Sequence, residues 1–170
     1  METIQLTLGK VALVDKEDFE RVNQYKWCAH NHGHTFYALR RVGKKISYLH
    51  QFIMDNPSGE DIDHINHDGL DNRRANLRVV SRSINLAHSR PRGRLGLKGV
   101  YKSRKRYTAA VVRDGVRYFS PTLKTAKEAG LLSDAMRRCL FPEGVYMNFP
   151  YADPPEYRDM AKAIIEKFQS

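Results

Sequence analysis

Cysteine, tryptophan, acidic residues and long apolar runs are all scarce in this chain, and each scarcity excludes something. Two cysteines, Cys28 and Cys139, occur in 170 residues, far apart and in no CxxC pair. A zinc held by four cysteines is therefore excluded, and no structural zinc is expected. A disulfide between the two is formally open, but reduced and packed thiols are the expected state. No stretch reaches the roughly 20 apolar residues that span a bilayer. No basic segment followed by an apolar one opens the chain, so export is not expected. Tryptophan occurs once, at Trp27. The 19 acidic residues are outnumbered by 29 Lys and Arg, which leaves a formal net charge of +10.

The placement of that charge matters more than its size. Residues 1–92 carry 14 basic and 11 acidic side chains, whereas residues 93–170 carry 15 and 8. Between Arg90 and Arg117 lie ten basic residues and a single acid, Asp114. Such a block suits a polyanion, nucleic acid first and an anionic membrane surface second. A solvated basic face is the competing reading. The hydrophobic fraction of 41% supports folded cores, in one ordinary domain or two small ones.

Periodicity then organises the chain. Ile4, Leu6 and Leu8 alternate with polar residues, Gly9-Lys10 turns, and Val11–Val14 runs back, which predicts a β-hairpin. Asp15, with Asp18 three residues on, resembles the N-cap of a short helix. Trp27 is expected to bury against the hairpin. Phe36–Arg40 and Ile46–Leu49 flank Gly43-Lys44-Lys45, a second hairpin. Leu49–Met54 predicts a short helix, broken by Asn56-Pro57-Ser58-Gly59. His30, His32 and His34 alternate, as metal ligands on one strand face would, but no carboxylate or cysteine accompanies them. A polar loop is the expected reading.

Past the basic, Pro- and Gly-containing segment Arg90–Arg94, the spacing predicts three short strands at Gly99–Lys102, Tyr107–Arg113 and Val116–Ser120. Asp114-Gly115 joins the last two as a hairpin. Thr125 and Glu128 form a capping box for a helix whose inner face carries Ala129, Leu132, Met136, Cys139 and Leu140. Arg137-Arg138 are expected in solvent. Met160, Ile164, Ile165 and Phe168 mark a last amphipathic helix over Pro155–Phe168, either docked on this unit or facing a partner.

The stretch Asp61–His88 concentrates the chemistry. Its 28 residues hold three of seven histidines, four of eight asparagines and four aspartates. It reads as strand (Asp61–Ile65), loop (Asn66–Ala75), strand (Leu77–Val80) and helix from about Ser81. Oxygen ligands beside an imidazole are the minimum equipment for metal-assisted phosphodiester hydrolysis. From spacing alone, Asn85 is either a functional residue looking back toward Asp63 or an ordinary exposed asparagine.

The combination Asp63-His64, Asp71-Asn72-Arg73, Asn76-Leu77-Arg78 and Asn85 resembles the HNH nucleases of the ββα-metal fold, in their phage homing branch. The likeness spans roughly His50–His88. Gly9–Val14 and Tyr25-Lys26-Trp27 are also similar to that branch's N-terminal region. The resemblance implies His64 as general base, Asp63 and Asn85 as ligands of one divalent ion, and Asn76 orienting His64. Asparagine at the third signature position favours a hard ion, Mg²⁺ with Mn²⁺ as the alternative, over zinc. It also implies a cytoplasmic site of action in a bacterial host, with a phage or mobile element as the source.

Residues 96–150 resemble a second family, the sheet-type DNA-binding domain of plant ethylene-response factors. The matching pieces are Gly96–Tyr101, Tyr107–Arg113, Thr125, Glu128-Ala129, Asp134 and Asn148-Phe149-Pro150. Tyr107 replaces the usual tryptophan, Phe119–Leu123 replaces the family's Leu-Gly-x-Phe run, and Ser133 replaces a tyrosine. Base specificity therefore does not transfer. The implied fold lays a three-stranded sheet in the major groove, with Lys98, Lys102, Arg104, Lys105, Arg106, Arg113 and Arg117 as its DNA-contacting residues. Tyr101, Tyr107 and Tyr118 serve either sugars or the core.

The expected molecule is thus α+β: a ββα-metal nuclease over residues 1–89, a linker over 90–95, a DNA reader over 96–150 and a helix over 151–170. Its expected activity is metal-dependent cleavage of double-stranded DNA, as a monomer on an asymmetric site, with no membrane partner. The alternative is a non-catalytic DNA-binding regulator on a degenerate nuclease fold.

Overall fold

The first hairpin pairs β1 (Glu2–Gln5) with β2 (Val11–Val14), matching Ile4 to Ala12 and Thr3 to Leu13. Leu6 and Leu8 do not extend the strand as the alternation suggests. Thr7–Gly9 form a tight turn in which Leu8 and Gly9 both adopt positive φ, which leaves Leu8 72% exposed. The computed structural model that shows this describes residues 1–55, 60–91 and 93–169. Asp15 precedes α1 (Lys16–Asn23) without capping it by its side chain. Its Oδ2 instead accepts the backbone N–H of Arg74 at 2.8 Å.

A three-stranded antiparallel sheet follows: β3 (Cys28–Asn31), β4 (Phe36–Val42) and β5 (Lys45–Tyr48), in that order. The polar composition of β3 hid it from pattern reading, since both its neighbours in sequence are turn-like. Gly43, at φ +60°, makes the β4–β5 turn. After α2 (Leu49–Ile53) comes the break expected at Asn56–Gly59, which lies outside the described residues. Val14, Val22, Trp27, Leu49, Ile53 and Leu77 centre the core of this unit. Trp27 is 2% exposed and donates its Nε1–H to the carbonyl of Val22 at 3.0 Å. The hairpin β6 (Asp61–His64) and β7 (Leu77–Val80) pairs Asp63 with Arg78 and His64 with Leu77, and α3 (Arg82–His88) follows.

The chain divides into two compact units, Met1–Asn85 and Leu86–Ser170. In the second, β8 (Val100–Ser103), β9 (Arg106–Arg113) and β10 (Val116–Phe119) form an antiparallel sheet with β9 in the middle. Helix α4 (Ala126–Leu140) packs on it, and both halves of the Thr125–Glu128 capping box are made. Ala129, Leu132, Met136 and Leu140 are buried as their spacing requires. Cys139 is not: both cysteines are free and exposed rather than packed. Arg137, expected in solvent, is 2% exposed because Asp134 lies one turn earlier and takes its guanidinium at 2.6 Å. Helix α5 (Pro155–Gln169) docks on α4 and β10, with the Phe168 ring 5.5 Å from Tyr118. No helix among the described residues is long and apolar enough to cross a membrane.

Candidate active site

The connection between β6 and β7 is held by an unusually dense set of polar contacts. Asp71 is 2% exposed and takes Arg73 through two hydrogen bonds, at 2.7 and 2.6 Å. Arg74 grips Asp18 of α1 in the same two-pronged way, at 2.8 Å for each prong, and also donates to the carbonyl of Ile53. The loop backbone joins β2: Leu13 N–H donates to Leu70 O, and Asn72 N–H donates to Leu13 O, both at 2.8 Å. Gly69 lies against β4 so closely that a Cβ there would fall 2.5 Å from the carbonyl oxygen of Phe36. Asn76 braces the loop from within. Its Nδ2 donates to Asn66 Oδ1 and Asp71 O, while its Oδ1 accepts Asn66 N–H.

His64 ends β6 on this scaffold and is 4% exposed. Its Nε2 lies 3.4 Å from Asn72 Oδ1, and the Asn72 amide is in turn aimed by its Nδ2–H bond to Gly69 O. The side chain that meets the imidazole is thus Asn72, while both amide hydrogens of Asn76 are occupied within the loop. The ring of His50 stands edge-on at 5.1 Å and that of Tyr37 at 5.6 Å. Burial pushes the His64 imidazole below its ordinary range, against the opposing pull of Asn72 and of the charge on Asp63. Burial, then the neighbouring charge of His64, pushes His50 down to about 3, so His50 is a neutral wall.

Asp63 is 8% exposed and receives Arg78 Nε–H at 2.9 Å. Asn85, on α3, reaches back to β6 as its spacing suggested, but its Nδ2–H goes to Asp61 Oδ2 at 2.8 Å. Arg82 Nη1–H reaches the same oxygen at 3.0 Å. Asp61 and Asp63 are two apart on a strand, so they share a face. Asp61, Arg78, Asn72, His50 and Tyr37 all belong to this constellation, and sequence reasoning gave none of them a role. The i, i+2 spacing was the legible signal for Asp61. Nothing in the local pattern marks Tyr37, which comes from a different sheet.

The stretch that builds this site carries a known signature. Residues 55–87 match the model of the HNH endonuclease family. An uncharacterised HNH endonuclease of Acanthamoeba polyphaga mimivirus is 30% identical to the chain, covering 79% of it and 73% of the relative. The chain belongs to the HNH endonuclease family. It is a DNA endonuclease, a hydrolase of phosphodiester bonds. No solved structure matches it.

HNH nucleases generally use a divalent metal ion. The donors at hand fit a hard one: a carboxylate on Asp63 and an amide oxygen on Asn85. Among the described residues no group of three or more His, Cys, Asp or Glu side chains is disposed to hold a metal. An ion that keeps most of its water needs only one or two protein oxygens. His30 on β3 and His32 just beyond it are exposed with rings 5.1 Å apart, and among the described residues they gain no third ligand.

In the second unit the basic residues fall into three groups. Arg106 and Arg117 alternate with the buried side chains of β9 and β10, so they lie on the sheet face away from α4. Arg117 lies over the Tyr101 ring at 5.1 Å. Arg104 and Lys105 form the β8–β9 turn, and Lys102 sits near Tyr107. Lys98 and Arg113 are otherwise engaged. The Lys98 ammonium binds the carbonyls of Leu86 and Ser89, closing the end of α3. Arg113 covers Phe141 at 4.9 Å and pairs with Asp114 and Glu143.

Proposed function

We propose that this nuclease cleaves double-stranded DNA at a selected site, as a divalent-metal-dependent enzyme of the homing type. In this reading the β6–β7 hairpin with α3 is a ββα-metal module. His64 is the general base, Asp63 and Asn85 hold the ion, most simply Mg²⁺, and Asn76 keeps the loop that carries Asn72 against His64. The observation that carries it is the buried imidazole of His64 at the end of β6, next to Asp63 and held by Asn72.

The tautomer follows from its neighbour. A carbonyl oxygen can only accept, so Asn72 Oδ1 favours the form with hydrogen on Nε2 and leaves the Nδ1 lone pair for a water proton. As the water oxygen bonds to phosphorus, its proton passes to Nδ1, the P–O3′ bond breaks and the departing 3′ oxygen takes a proton from solvent, leaving a 5′ phosphate and a 3′ hydroxyl. Burial helps by keeping His64 unprotonated near neutral pH, where a base must be deprotonated to act. A bound divalent ion would supply Lewis-acid stabilisation of the charge on the phosphate and the departing oxygen. Arg78, beside Asp63, adds positive charge in the same place.

Targeting is assigned to the second unit, whose three strands on one helix match the element order of the ethylene-response-factor type. Arg106 and Arg117 on the open face are the candidate base readers, with Lys102, Arg104 and Lys105 on phosphates. One nuclease site and one reader per chain suit a monomer on an asymmetric sequence. The test is cleavage of supercoiled plasmid carrying candidate targets in Mg²⁺. His64→Ala is expected to abolish nicking and linearisation while gel-shift binding persists. Normal cutting by that variant would remove His64 from the role of base.

A further inference from the structure

We propose that Asp61 is a positioning residue: by accepting the Nδ2–H of Asn85, it leaves the Asn85 amide oxygen as the end presented to a divalent ion. This rests on the reading of Asp63 and Asn85 as the ion's ligands. An asparagine amide has two ends of nearly equal size and opposite hydrogen-bonding character. Only the oxygen end can ligate a hard cation, so half of the ways of placing the amide would be useless. Something must choose between them.

Asp61 supplies the choice. An ionised carboxylate only accepts, so it can pair with the Nδ2 end and never with Oδ1. The contact is short, 2.8 Å, as charge-assisted bonds are. Arg82 holds the same carboxylate oxygen at 3.0 Å. Arg82 and Asn85 are three apart on α3, hence neighbours on one side of it, and both turn to Asp61. Asp61 in turn shares a strand face with Asp63. The carboxylate therefore sits where it can set one ligand relative to the other without being a ligand itself.

The experiment is Mn²⁺ binding to the full chain, followed by the electron paramagnetic resonance of free Mn²⁺, in parallel with metal-free DNA binding and thermal melting. Asp61→Asn can donate to Oδ1 and let the Asn85 amide turn round. It is expected to weaken Mn²⁺ binding by about 10–100-fold, the usual cost of losing a ligand's hydrogen-bonding partner. Asp61→Glu, still acceptor-only, should restore binding to within a few-fold. The Mn²⁺ concentration for half-maximal cleavage should shift with the affinity, while the rate at saturating Mn²⁺, melting and DNA binding stay near wild type. If Asp61→Asn binds Mn²⁺ normally while Asp63→Asn does not, the proposal fails and the metal reading stands. If Asp63→Asn and Asn85→Ala both bind Mn²⁺ normally, the metal reading itself is lost. If Asp61→Asn loses binding as fully as Asp63→Asn, with no recovery at high Mn²⁺, Asp61 is a ligand and not a positioning residue.

Discussion

His64 is one of seven histidines, and burial beside an asparagine oxygen is what distinguishes it. His50 is nearly as buried, yet among the described residues its Nδ1 has no hydrogen-bond partner. The role given to Asn72 has a direct consequence. Asn72→Ala frees the imidazole to rotate and to exchange tautomers. Cleavage should fall by about one to two orders of magnitude, no more than the lower end of the roughly 10²–10⁴ that a general base contributes, with DNA affinity unchanged. A variant that cuts at the wild-type rate would show that burial among Tyr37 and His50 suffices to hold the ring. Asp63-His64 was legible as a pair because its two residues are adjacent. Asn72 was legible only as part of a motif, since its contact with His64 depends on how the loop folds back.

At the scale of elements, the Asp71–Asn76 loop works as a clamp. Asp71 is answered by Arg73, Asp18 by Arg74 and Arg21, and the backbone by β2. Burial pushes the Asp18 carboxyl up, but the hydrogen bonds and charge of Arg74 and then Arg21 outweigh it and hold Asp18 below its ordinary 3.8. A group lowered in the folded state contributes stability that is complete above the unfolded value and is lost as pH falls through the folded one. Asp18→Asn should therefore be less stable than wild type at pH 7, and the gap should close as pH drops below 3.8. Denaturant melts across that window would measure it. A gap that does not change with pH would place the effect in packing rather than charge. The sequence spacing that made Asp15 and Asp18 resemble a helix cap was real, but Arg74, in a loop 56 residues or more away, claimed both carboxylates, Asp15 with its backbone N–H and Asp18 with its guanidinium.

On the proposed reading, the whole molecule separates chemistry from grip. Its first unit carries the nuclease signature and nearly balanced charge, and its second carries most of the excess basic residues. Arg117→Ala, which removes an open-face guanidinium already laid over Tyr101, should weaken DNA binding. If Arg117 reads a base edge the loss should be about 1–3 kcal/mol and confined to the preferred sequence. If it meets phosphate the loss should be uniform, with a salt slope smaller by about one. Unchanged isotherms would move the reader elsewhere. The second unit also has its own weak point. Asp134 is 0% exposed and accepts Arg137, Asn148 and Phe149 N–H groups. Asp134→Ala strands a buried guanidinium and should cost about 3–5 kcal/mol. Trp27, the single tryptophan, reports on the first unit alone. The far-ultraviolet transition should then shift while Trp27 fluorescence does not, and coincident shifts would mean that the units unfold together.

Adjacent and regularly spaced residues were enough to place most of this protein. The hairpins, the Thr125–Glu128 box, the amphipathic faces of α4 and α5, the Asp63-His64 pair and the charge asymmetry all follow from local stereochemistry and periodicity. Tertiary structure alone decided which polar groups answer one another. It put Asn72 against His64, Asn85 on Asp61, Lys98 on the end of α3, Arg113 over Phe141 and Arg137 inside the second unit. The physical reason is the same in each case. A buried polar group must be satisfied, but its partner can come from anywhere the chain returns, and no period in the sequence records where that is.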